Sequence, residues 1–161
     1  MTGLRNRIPL AALAFLMTAA FLMSGLVPAA ADDRATIEAC VTTEINRFAC
    51  IGRIAKPCMT EPGGETTIGM KTCSAREAEA WDALLNAEYK KALANLEGKG
   101  ADKLRTAQRA WLTVRDNDCA IPFEVYKGGT IAGVIAGGCL LEHTAVRALQ
   151  LRDLRESSDS H

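Results

Sequence analysis

Six cysteines, at positions 40, 50, 58, 73, 119 and 139, all lie downstream of a basic, apolar leader, and no other feature constrains the fold as strongly. MTGLRNR carries two arginines and no acid. Ile8 to Val27 is a long apolar run, and Pro28 followed by Ala29-Ala30-Ala31 forms a small-residue exit. This is the pattern of a secretory signal peptide over 1–31, with cleavage expected after Ala31. The apolar run is also long enough to span a bilayer. Its glycine, proline and A-x-A exit favour cleavage, after which no stable membrane insertion is expected. An even cysteine set in a small exported domain reads as disulfides, with 15 pairings open to six thiols. No C-x-x-C pair exists and histidine occurs only at 143 and 161, so neither a metal nor a cofactor is expected.

Residues 32–161 are enough for one domain with a single core. Removal of Arg5 and Arg7 with the leader leaves 17 basic against 19 acidic residues, a slightly acidic balance. Such a chain lacks the basic surface that nucleic acid requires. The last apolar segment ends near Leu154, so the domain is assigned to 32–155 and the final six residues, 156–161, to a disordered tail.

Apolar spacing predicts helices throughout. Ile37, Val41, Ile45 and Phe48 place the first over 32 to about 53, stopping before Pro57. KPCMTEPGGETT reads as a loop. Trp81, Leu84, Leu85, Tyr89, Leu93 and Leu96 stripe a second helix from about Thr67 to Leu96, closed by Gly98 and Gly100. A third carries Leu104, Ala107, Trp111 and Val114 from near Asp102 to about Asp118. The short GKGA link predicts that these two pack antiparallel. The glycine-rich run after Tyr126 reads as a turn and short helix, with a last helix from Cys139 to about Leu154. The expected fold is all-α: a small disulfide-stapled helical bundle built on an antiparallel helix hairpin.

Two polar rows accompany the apolar stripes. Asp82, Asn86 and Tyr89 fall at i, i+4 and i+7 on the second helix, and Gln108, Trp111 and Arg115 share a side of the third. Antiparallel packing would let the rows meet at one edge, an acid facing the Arg115 guanidinium. The set is then either a satisfied buried network that fixes register or a ligand-binding surface. In the first case Arg115→Ala strands the facing acid and destabilises the fold by several kcal/mol.

The runs W-D-A-L-L-N-A-E-Y (81–89), A-Q-R-A-W-L-T-V-R-D-N-D-C (107–119), G-G-T (128–130) and C-L-L-E-H-T-A-V-R-A-L (139–149) resemble the lysozyme inhibitor LprI-like family over roughly 70–155. The resemblance implies an exported helical domain in which Cys119 pairs with Cys139. The founding member is lipid-anchored, whereas the leader exit here has no cysteine; Cys40 to Met70 lies outside the core pattern. For the remaining bridges the favoured pairs are Cys50–Cys58 and Cys40–Cys73, with the swapped pairings open.

What the resemblance implies is a binding protein of the bacterial envelope, periplasmic or secreted, whose partner is lysozyme or another envelope protein. A slightly acidic domain suits a cationic partner, with association weakened by salt. An inhibitor needs a rigid projecting segment, and two acidic stretches qualify. One holds Glu61, Gly63, Gly64 and Glu65 beside Cys58; the other holds Asp116 and Asp118 beside Cys119. Two other classes stand beside this one. A structural envelope domain without lysozyme contact shares every feature used above. A cell-wall glycoside hydrolase would need paired carboxylates, for which Glu77 with Glu79 or Asp116 with Asp118 are available, although such pairs are commonly solvated helix surface. No catalytic constellation is present, and the chain is read as a non-enzyme.

Overall fold

The computed structural model describes residues 29–159. Residues 1–28 of the expected leader, and 160–161 of the expected tail, lie outside the described residues. Helices α1 (Ala29–Thr43), α2 (Ala55–Thr60), α3 (Thr67–Ala94), α4 (Lys99–Val125) and α5 (Ile131–Asp159) follow in order, with one 3-10 turn, Arg47–Cys50, after α1. Among the described residues there is no strand. The fold is all-α.

Four helix boundaries differ from the sequence expectation, and α2 occupies the first part of the stretch read as a loop. The first helix stops ten residues early, at Thr43. Cys40 is bonded to Cys50 with Cα atoms 5.9 Å apart, whereas a continuous helix would hold them about 15 Å apart. The chain therefore folds back, with the Asn46 side chain accepting from the Phe48 amide to start the 3-10 turn. Ile45 and Phe48, expected on a buried stripe, are exposed as a result. α4 runs past Asp118 to Val125 and carries the buried Pro122 in its last turn. α5 is a single helix from Ile131, not a turn followed by a helix from Cys139. The expected tail is also helical as far as Asp159.

α5 is the common partner of the bundle. It packs along both α3 and α4, while the backbones of α3 and α4 rarely approach each other directly. Small residues permit this: a Cβ on Gly137 would stand 3.6 Å from the Ser74 Cβ, and one on Gly133 would stand 3.6 Å from the Lys71 side chain. The core joins Ile37 and Val41 of α1 to Trp81, Leu84 and Leu85 of α3 and to Ala145, Ala148, Leu149 and Leu151 of α5. Trp81 is fully buried, and Trp111 packs against the edge of this cluster.

Two buried carboxylates hold the periphery. Glu77 accepts from the amides of Gly52 (2.6 Å), Ile54 (2.9 Å) and Ala55 (2.6 Å) and from the Trp81 indole (2.9 Å). Those four donors fill its acceptor capacity and fix the segment leading into α2 against α3. Glu88 accepts from Arg155 at 2.6 Å, with Lys91 at 3.4 Å and Arg152 at 3.9 Å. Around it Arg47 pairs with Asp153 and Glu156, tying the turn after α1 to the end of α5. Asp33 grips Arg76 with two hydrogen bonds, of 2.6 and 2.7 Å, joining α1 to α3; that bonding raises the Arg76 pKa from its ordinary value. Every buried side-chain nitrogen and oxygen among the described residues has a partner.

The bridges are Cys40–Cys50, Cys58–Cys73 and Cys119–Cys139. The first two correct the favoured Cys50–Cys58 and Cys40–Cys73 pairs. Turning the chain after Thr43 brings Cys50 back to Cys40, leaving Cys58 on α2 to reach Cys73 on α3, with Cα atoms 5.7 Å apart.

Candidate functional site

The two polar rows do not mate. On α3, Asp82 and Asn86 are exposed and bond to each other at 2.8 Å, while Tyr89 is partly buried against the core. On α4, buried Gln108 accepts from Arg147 of α5 at 3.0 Å. Arg115 pairs with its neighbour Asp116 (2.8 Å) and lies over the Trp111 ring, 5.0 Å from its centroid. Arg147 approaches the same ring at 5.9 Å, and burial pushes its pKa down from the ordinary value. The expected acid facing Arg115 across a hairpin seam is therefore absent. The reason is topological, since α3 and α4 each pack on α5 and scarcely on each other. Arg147 was within reach of sequence reasoning, because it closes the C-x-x-x-x-T-x-x-R run from Cys139.

The same topology leaves a trough of about 820 Å³ with walls from α3 and α4 and a floor from α5. Ala75, Ala78, Ala120, Phe123, Ala136 and Leu140 supply apolar lining, and Lys71, Glu79, Asp82, Arg115 and Asp116 supply charge. Of the polar set, Asp82 and Arg115 thus share one space without touching through a hydrogen bond. Ligand atoms of Cys119, Cys139 and His143 lie within 4.8 Å of one another, but the two sulfurs are bonded together.

The acidic stretches differ. Asp116 and Asp118 sit on regular turns of α4, seven or more residues before its end at Val125, and project no loop; this corrects the placement at a helix terminus. Glu61 to Glu65 form a tight turn between α2 and α3. The Gly64 amide donates to the Glu61 carbonyl (2.8 Å), and the Thr66 hydroxyl donates to the Gly63 carbonyl (2.7 Å). Gly63 has φ +85°, a conformation that favours glycine. Gly64 is buried, and a Cβ there would collide with the Cys58 carbonyl; one on Gly69 would collide with the Gly63 carbonyl. The Cys58–Cys73 bridge closes the base of the turn, and Glu61 and Glu65 are exposed.

Of the carboxylate pairs considered for hydrolysis, Glu77 is saturated by its four donors inside the protein, and Glu79 is exposed. Asp116 is held by Arg115. Neither of these two pairs lines a cleft together: of the four carboxylates, Glu79 and Asp116 line the trough and their partners Glu77 and Asp118 do not.

The family described as lysozyme inhibitor LprI matches residues 58–151. The chain belongs to this LprI family. The match opens at Cys58, so the locked acidic turn and its bridge fall inside the family region. The uncharacterized protein R02472 of Rhizobium meliloti (strain 1021) is 30% identical over 104 residues, covering 56% of this chain and 75% of that one. No solved structure matches. The LprI family is one of inhibitors, and three disulfides accord with a place outside the reducing cytoplasm.

Proposed function

We propose that this chain is an exported binding protein of the bacterial envelope that inhibits lysozyme through the Glu61–Glu65 turn. The observation that carries the reading is the turn itself. Two exposed acids stand on a glycine-locked, disulfide-based projection inside the region shared with the LprI family. A rigid projection loses little conformational entropy on entering a cleft. Its two carboxylates would attract a cationic enzyme and weaken their hold as salt rises. The reading requires no cofactor and no catalytic group of the chain's own.

The test is clearing of bacterial cell-wall suspensions by chicken-, goose- and invertebrate-type lysozymes, with and without the purified, oxidised protein from Asp32 onward. Inhibition of at least one type is expected, and Glu61→Lys with Glu65→Lys should weaken it by about tenfold or more, given two lost charge contacts. Undiminished inhibition by that variant discards the turn. Silence against every lysozyme favours a structural envelope domain, and clearing without lysozyme favours a hydrolase.

A further inference from the structure

We infer that the trough between α3 and α4 is a docking site for an amphipathic helix of a partner protein, basic at its N-terminal end. This goes beyond lysozyme inhibition and uses different residues from the acidic turn. The trough runs along α3 from Lys71 to Ala83, about 18 Å or three helical turns. Its lining is short-chained on every side, with Ala75 and Ala78 in the α3 wall, Ala120 in the α4 wall and Ala136 in the α5 floor. A guest backbone can therefore approach at about the 8 Å spacing of closely packed helices, which completes a four-helix arrangement. Phe123 and Leu140 stay 54% and 37% exposed in the wall and floor, apolar area with nothing laid over it.

Charge chooses the occupant. Lys71 stands at the end where Gly133 and Gly137 of α5 meet α3. Glu79 and Asp82 stand about two and three helical turns nearer the α3–α4 link. None of the three has an ion-pair partner among the described residues, and Asp82 accepts only the Asn86 amide. Opposite free charges separated along an apolar trough match a dipolar rod. A helix carries partial positive charge at its N-terminus and negative charge at its C-terminus. The guest therefore lies antiparallel to α3, with its N-terminal end and first-turn basic residues at Glu79 and Asp82 and its C-terminal end at Lys71. An alkyl chain with a single polar head would use only one end of this pattern.

Two stapled helical peptides of about 14 residues provide the probe. Both carry an alanine–leucine face; one has lysines in the first turn and glutamates in the last, and its twin has them exchanged. Fluorescence anisotropy with the oxidised protein should show the lysine-first peptide binding about tenfold more tightly than its twin. Combining Lys71→Glu, Glu79→Lys and Asp82→Lys, all at exposed positions, should invert that preference. Ala120→Trp, also at an exposed position, should block both peptides while leaving the circular dichroism melt unchanged. Equal binding of the twins, no binding of either, or indifference to Ala120→Trp would overturn the assignment. So would displacement of the peptide by monomeric dodecylphosphocholine, which points to lipid, or an Ala120-dependent dimer in sedimentation, which points to a second copy. Failure of lysozyme inhibition leaves these outcomes untouched.

Discussion

The Glu77 carboxylate gathers three backbone amides and an indole inside the protein, so its worth lies in the donors it satisfies. Glu77→Gln keeps the shape but turns one acceptor atom into a donor facing other donors. The expected loss is on the order of 3 kcal/mol, read as a fall in the urea midpoint. Arginines divide the same way. Arg115 holds an exposed aspartate and covers Trp111, so Arg115→Ala should lower stability by about 1 kcal/mol, in place of the larger loss expected from a mated seam. Arg155→Ala removes the closest partner of buried Glu88 and should cost about 2–3 kcal/mol, softened because Lys91 and Arg152 remain nearby. Thermal melts of the two variants side by side check the ranking. The periodic positions of Trp81 and Leu84 were legible because burial follows a spacing. Glu77 was not, since two acids separated by one residue point in different directions and only the fold decides which one turns inward.

At the scale of elements, α3 was readable because an apolar stripe runs its length and glycines follow it. α1 and α5 were misjudged for opposite reasons. A covalent bond overrode periodicity after Thr43, and glycines that normally interrupt a helix instead let α5 press against α3. The end of α5, expected to fray, is held by charge. Burial pushes the Glu156 carboxyl up, but Arg47 and Arg152 outweigh it and hold the group below the usual carboxylate range. A depressed pKa stabilises the fold at and above the unfolded value, about 4.3, and that contribution is lost as pH falls through the folded value. Melting temperature should therefore fall on acidification below about pH 4.3 in the native protein. Glu156→Gln should be the less stable at neutral pH and show a flatter acid limb, with the two curves converging as the carboxyl is protonated.

For the molecule as a whole, α3 and α4 form opposite walls held by α5, and the Cys119–Cys139 bridge rivets one wall to that support across 20 residues of sequence. Cys119→Ser with Cys139→Ser should reduce stability by about 3 kcal/mol and loosen α4, read by hydrogen exchange over 111–125. The class of fold was open to inspection from composition and spacing, but the trough was not. It arises from which helix lies between which, a choice among topologies that apolar stripes leave equal. The bridges carry one last consequence. First joins second, third joins fourth and fifth joins sixth, in the order the thiols appear along the chain. If the chain is exported from its amino end, as proposed, each correct couple would emerge before the next arrives, and a simple oxidant would then be enough to form all three without a shuffling catalyst.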